Sequence, residues 1–178
     1  SHVFYVDGEP RAYDVNIFTP SDTHPEGWGT ILVVGFRLGG GEIGVKLDDA
    51  DTENYFTGRS AYVILDITDP EQPPTLLAEI TDADLGYTTS IPALVNGRQS
   101  DSLTGVYNDV EDAWYLVFGS GPIGDSALSN GTSDQNARLY VYDLNSLAFI
   151  DWDPDAEGTQ AGLDLGTDAA NSFVGDPT

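Results

Sequence analysis

Residues 28–36 read WGTILVVGF and form the most apolar stretch of the chain. A short apolar run bounded by turn residues predicts a central β-strand that is covered on both faces. Upstream, residues 13–18 alternate polar and apolar side chains, which predicts a strand with one buried face. Downstream, residues 60–67 (SAYVILDI) and 75–80 predict two more strands, and the proline-rich segment 68–74 separates them.

A second set of strands follows in a similar order. Residues 113–118 (AWYLVF) and 138–144 (RLYVYDL) predict strands, and 88–95 and 147–151 predict the flanking ones. Within them, residues 114–119 match 28–35 and residues 139–143 match 61–66. In this interpretation Trp28 corresponds to Trp114 and Tyr62 to Tyr140. A repeat of about four strands is typical of a β-propeller blade.

The repeat predicts an all-β fold, a β-propeller fragment with quinoprotein-like blades of four antiparallel strands. Propellers have about 4–8 blades, so we do not expect this chain alone to close the ring. Residues 1–178 are interpreted as part of one propeller domain, about two blades with flanking strands, whose remainder is absent. The remainder of its own propeller, or a completing chain, is then the expected partner, and the isolated segment should be unstable or aggregate.

Several aromatic and acidic residues of the two cycles have predicted structural roles. Trp28 and Trp114 are expected to fill space between the blades. Asp66 and Asp143 each end a strand before a turn, where carboxylates commonly accept backbone N–H groups. Residues 164–172 give the best helix candidate, a short one.

The charge balance narrows the classes of partner. Six basic residues stand against 30 acidic ones, which gives a formal net charge of −24. Such a surface repels phosphate backbones, so no nucleic-acid partner is expected. The apolar runs are too short for a membrane-spanning helix, so no membrane insertion is expected. Cysteine is absent, which excludes disulfides and thiolate metal sites.

The ordered strings resemble the PilC/PilY family of type IV pilus assembly and tip-adhesin proteins, specifically its C-terminal β-propeller domain. The resemblance covers most of residues 1–150. It rests on these segments in this order: 2–8 (HVFYVDG) with 14–15, 27–35 (GWGTILVVG) with 39–40, 61–70 (AYVILDITDP), 85–93 (LGYTTSIPA) and 114–121 (WYLVFGSG).

The resemblance implies a function outside the cell. It implies a location that is extracellular or on the outer-membrane surface of a Gram-negative bacterium, associated with the pilus. The implied function is non-enzymatic, in pilus biogenesis, retraction control, twitching motility and adhesion, with minor pilins, the pilus tip and a host or abiotic surface as partners. The alternatives are a propeller enzyme of the quinoprotein type and a carbohydrate-binding propeller. No catalytic or cofactor-binding residue is predicted.

One acidic loop suggests a calcium site, and its candidate ligands occur at alternate positions: Asp151, Asp153, Asp155 and Glu157. Alternate carboxylates on a looped backbone can converge on a hard cation. The resembled family carries a calcium loop with Asp at positions one, three, five and nine, whereas Thr159 stands here at the ninth. Ala156 also replaces the glycine that an EF-hand loop has at its sixth position. The other interpretation is a solvated acidic turn.

The remaining candidates have structural interpretations. Residues 48–53 (DDADTE) predict a solvated loop tip. His2 and His24 fall in predicted loop or edge positions, without the spacing of a zinc site. The string around Ser120 is close to a nucleophile motif, but no helix follows it.

Overall fold

A computed structural model describes residues 5–40, 43–46, 55–58, 60–100, 107–124, 127–153, 158 and 160–177. Within them the chain is all-β, as the sequence predicts. The helical segments are single turns, and no helix in these ranges has the length and apolar character to span a bilayer. The strands are β1 (Arg11–Asn16), β2 (Trp28–Gly35), β3 (Ile43–Lys46), β4 (Tyr55–Gly58), β5 (Tyr62–Asp66), β6 (Thr75–Ile80), β7 (Ala93–Ser100), β8 (Tyr107–Gly119), β9 (Arg138–Asp143), β10 (Ala148–Phe149) and β11 (Gly162–Asp164).

The strands form two antiparallel sheets and one hairpin. Sheet one has the order β1-β2-β5-β6, and the hairpin β3-β4 lies in the long excursion between β2 and β5. Sheet two has the order β7-β8-β9, and both β10 and β11 pair with the outer edge of β9. The fourth strand of sheet two is therefore split into β10 and β11, which residues 150–161 separate in the sequence.

The two sheets are equivalent in pairing as well as in strand order. Gly35 pairs with Tyr62 as Gly119 pairs with Leu139, and Ile31 pairs with Asp66 as Tyr115 pairs with Asp143. The backbone bonds repeat too. Phe36 N–H donates to the Ala61 carbonyl and Ser120 N–H to the Arg138 carbonyl, both within 3.0 Å; Ile67 N–H donates to Thr30 at 3.0 Å and Leu144 N–H to Trp114 at 2.8 Å. The repeat predicted from the sequence is real, but its alignment differs.

The difference concerns both predicted pairs of aromatic residues. By register Tyr62 is equivalent to Leu139 rather than to Tyr140, and the tryptophans are also offset. Trp28 lies seven residues before Gly35, whereas Trp114 lies five before Gly119, so the two occupy different positions in their sheets. Their rings do meet edge to face, with centroids 5.7 Å apart. Trp114 is buried, but Trp28 keeps 44% of its surface exposed and fills the space only in part.

Equivalent positions are buried on opposite faces. We call the side of each sheet that carries Ile31 and its equivalents the front face, and the other the back face. Sheet one buries its front face, including Ile31 and Val33, whereas sheet two buries its back face, including Leu116 and Phe118. The front of sheet one therefore packs on the back of sheet two, which is the stacking of consecutive propeller blades.

This stacking corrects one expectation for β2. The strand is central in its sheet, as predicted, but it is not fully covered on both faces. Its burial alternates strictly, and the back-face side chains Leu32 and Val34 stay partly exposed. The run is apolar on both sides even though this chain buries only one of them.

The interface between the sheets converges on Tyr62. Its ring is fully buried and lies 4.7 Å from that of Phe118, centroid to centroid. Its hydroxyl donates to the Ser90 carbonyl at 2.5 Å, in the segment that joins the two sheets. The Ser90 hydroxyl in turn accepts the Gly119 N–H at 3.2 Å and donates to the Gly175 carbonyl at 3.1 Å. These hydrogen bonds around Ser90, which we call the joint, connect both sheets to the C-terminal segment.

Three local predictions are corrected. The first strand of sheet two begins at Ala93 rather than at residue 88, because residues 88–91 make the side-chain and carbonyl contacts of the joint instead of ladder bonds. The strand predicted at residues 147–151 shortens to β10. The helix candidate at 164–172 is a single 3-10 turn, Thr167–Ala169, because the backbone is non-helical on both sides of it, at Gly166 (φ 83°) and at the extended Ala170.

Candidate functional site

The acidic loop predicted to bind calcium closes on Asp151. Its Oδ1 accepts the Asp153 N–H at 3.1 Å and the Gln160 N–H at 3.0 Å, and the Trp152 N–H donates to the Gln160 carbonyl at 3.1 Å. Asp151 therefore holds together the two ends of the loop that splits the fourth strand. This is the ordinary role of an Asp side chain in a turn.

Two of the four predicted cation ligands, Asp151 and Asp153, are among the described residues. Both side chains are exposed at the start of the loop, but Oδ1 of Asp151 already accepts two backbone N–H groups. Asp155 and Glu157 lie outside the described residues, as does the second acidic cluster at 48–53. In the described part of the chain, no three carboxylate or histidine side chains are grouped closely enough to hold a metal ion.

A different polar cluster forms where sheet one ends. His24 Nε2 lies 3.0 Å from Asp66 Oδ2, and both side chains are about 15% exposed. The other oxygen, Asp66 Oδ1, accepts the Thr68 N–H at 2.9 Å and the Thr68 hydroxyl at 2.6 Å. Phe18 stacks on the His24 ring, with centroids 4.0 Å apart. Asp66 thus ends its strand in the predicted turn and also binds a loop from the start of the chain.

The electrostatics of this cluster favour an ionised Asp66. Burial alone would raise the pKa of Asp66, but the hydrogen bonds from Thr68 and then His24 outweigh burial and hold that pKa below its ordinary value. An ionised carboxylate only accepts, so Nε2 of His24 donates to it. In neutral His24 the other ring nitrogen, Nδ1, is then an acceptor, and it lies 3.4 Å from Ser21 Oγ.

Ser21, His24 and Asp66 are in contact in the order of a Ser-His-Asp catalytic triad. Their hydrogen bonds, however, are those of a turn that is anchored to the end of a strand. The Ser21 hydroxyl oxygen already accepts the backbone N–H of His24 at 3.0 Å, and the Ser21 N–H donates to the His24 carbonyl at 3.0 Å. The groups line a cleft of about 260 Å³ whose walls are mostly hydroxyl, carboxylate and amide groups. Such a cleft can hold water or a small polar ligand. The hydrogen bonds among its lining residues fix the loop before β2 to the end of β5.

Sequence reasoning missed the pair of His24 and Asp66. Asp66 was assigned to its turn correctly, and Thr68 two residues later is the local signal for that. The two partners are 42 positions apart, and no spacing rule links them. Only the pairing of β2 with β5 brings the loop before one strand to the end of the other.

A second charged cluster involves Arg138, one of the six basic residues. Its guanidinium lies 3.2 Å from Asp84 and 3.8 Å from Asp164, and it donates to the Gly162 carbonyl at 3.2 Å. The nearby Tyr140 hydroxyl donates to Asp82 at 2.9 Å, and burial followed by the charge of Asp82 raises the pKa of that tyrosine. This cation is committed to protein carboxylates, so it is poorly placed to hold an anionic cofactor.

Comparisons with models of known families, with curated proteins and with solved structures found no match to this chain.

Proposed function

We propose that this chain is a non-enzymatic, propeller-like module of type IV pilus machinery, located outside the cell or on the outer-membrane surface. In this role it supports pilus biogenesis, retraction control and adhesion. The observation that carries the proposal is the coincidence of two features. Three of the strings that resemble the PilC/PilY propeller fall on β2, β5 and β8, and these are three of the four inner strands of two sheets stacked front to back.

The charge distribution supports an extracellular binding role over an enzymatic one. A net charge of −24 suits a salty exterior, where ions screen the repulsion between carboxylates. Arg11 and Arg37 are paired with Glu9 and Asp7, and Arg138 with two carboxylates. These are the three basic residues whose side chains the structure describes, and a quinone enzyme needs cationic groups that are free to face an anionic cofactor.

The proposal is tested in the bacterium that encodes the chain. In-frame removal of the segment that encodes residues 1–178 is expected to reduce surface piliation and twitching several-fold. The control is Leu147→Lys at an exposed turn, which should leave both unchanged. Piliation, twitching and surface attachment all at the wild-type level after the deletion would contradict the proposal.

Calcium at the acidic loop is a further part of the proposal. Calcium accepts several carboxylates at flexible geometry, so Asp151, Asp153, Asp155 and Glu157 would supply its oxygen ligands. One oxygen of Asp151 already accepts backbone N–H groups, and the ninth position of the loop is Thr159 rather than Asp. We therefore expect weak binding, with a Kd of about 10⁻⁴–10⁻³ M as in extracellular modules. Occupancy would stabilise the loop by mass action.

The calcium prediction is checked by calorimetric titration. Asp153→Ala is expected to weaken binding about tenfold or more. Asp168→Ala, which removes the same charge from an exposed turn elsewhere, should bind as the wild type does. Equal heats for the wild type and Asp153→Ala would exclude this loop as the calcium site.

A further inference from the structure

Each sheet leaves one apolar face partly exposed. On the back of sheet one, Leu76 is 59% exposed, and its neighbours on that face are only partly buried. On the front of sheet two, Val95 is 43% exposed and Leu163 37%. The apolar side chains that share these faces are Leu32, Val34, Val63 and Leu65 on sheet one, and Tyr115, Val117, Leu139 and Val141 on sheet two. Carboxylates border them, namely Asp14 and Glu79 on sheet one and Asp143 on sheet two.

Both free faces have buried counterparts in the same chain. By register, Leu76 of sheet one is equivalent to Phe149 of sheet two, which packs against the core. Leu163 of sheet two is equivalent to Ile80 of sheet one, which is 1% exposed. The free front of sheet two thus presents the same kind of surface as the front that sheet one buries, and the same holds for the two back faces.

We propose that the free front face of sheet two binds the free back face of sheet one in a second copy of this chain. The internal interface already joins a front to a back, so this contact continues the same stack. A copy carries both complementary faces, so no other partner is required. Such a head-to-tail contact closes into a ring or extends into a filament. The proposal goes beyond the pilus function and does not depend on it.

Charge sets the conditions under which copies bind. Two copies at −24 each repel at low ionic strength, whereas the screening length falls to about 3 Å at 1 M salt. Sulfate also strengthens the burial of apolar surface. We therefore expect assembly to increase with salt and with protein concentration, and the predicted aggregation of the isolated chain to have this cause.

The test uses one blocked variant for each face. Leu76→Lys blocks the back of sheet one, and Val95→Lys blocks the front of sheet two; lysine lowers the net negative charge, so added repulsion cannot explain a loss of assembly. Both positions are exposed, so the melting temperature should stay close to that of the wild type. Leu147→Lys is the matched control in a turn. Should Val95→Lys melt lower than the wild type, Leu163→Lys on the same face replaces it.

Sedimentation velocity in sodium sulfate gives the readout. The wild type and Leu147→Lys are expected to form oligomers, and each blocked variant to stay monomeric alone. An equimolar mixture of the two blocked variants should form a one-to-one dimer, because one keeps the free front and the other the free back. The proposal is overturned by a wild type that stays monomeric, by a blocked variant that still associates alone, or by a mixture that stays monomeric.

Discussion

Tyr62→Ala is expected to lower the free energy of unfolding by about 3–5 kcal/mol, the range for loss of a fully buried aromatic side chain. The Tyr62 side chain is fully buried and packs on Phe118 across the interface between the sheets. The substitution leaves a cavity at that interface and removes the donor to the Ser90 carbonyl. Because domains are stable by only about 5–15 kcal/mol, this is a large share of the total.

The matched control for this prediction is Tyr62→Phe. It keeps the ring and removes only the hydroxyl, so the loss should be about 1 kcal/mol. Urea unfolding gives both values, provided that the slope with denaturant concentration is unchanged between variants. Equal losses from the two variants would mean that the hydrogen bond, rather than the packed ring, holds the sheets together.

Asp66→Ala is expected to cost about 2–3 kcal/mol near neutral pH, since hydrogen bonds to a charged acceptor are stronger than average. The carboxylate accepts from His24 and twice from Thr68. Its pKa is lowered in the folded chain, since burial, which raises it, is outweighed by the bonds from Thr68 and His24. The stabilisation is therefore complete above the ordinary carboxyl pKa and is lost as the pH falls through the lowered one.

Thermal unfolding between about pH 2 and pH 7 checks the sign of this effect. The wild type should lose stability on the acid side more steeply than Asp66→Ala, so the difference between them should shrink as the pH falls. Asp143→Ala is the control, because Asp143 holds the equivalent position and, among the described residues, accepts the turn N–H groups of Asn145 and Ser146. A difference that stays constant or grows towards low pH would contradict the assignment.

The sequence alone determined the inner strands of both sheets and the turns that follow two of them. In β2, β5, β8 and β9, apolar and β-branched side chains are concentrated within a few residues, and such local patterns specify strands directly. The turns after Asp66 and Asp143 were predictable for the same reason, since each carboxylate accepts an N–H only two residues later. In the acidic loop, the hydrogen bond from Asp153 N–H to Asp151 is equally local, because it also joins residues two positions apart.

The tertiary structure alone decided which faces are buried and which distant groups meet. The strand β2 is apolar on both sides, so no alternation in its sequence distinguishes Ile31, which is buried, from Leu32, which is partly exposed. That choice depends on where the second sheet packs. The contacts of His24 with Asp66 and of Tyr62 with Ser90 join residues 42 and 28 positions apart. Such pairs form only after strands have aligned across a sheet, because sequence spacing specifies neighbours along the chain and sheet register specifies neighbours in space.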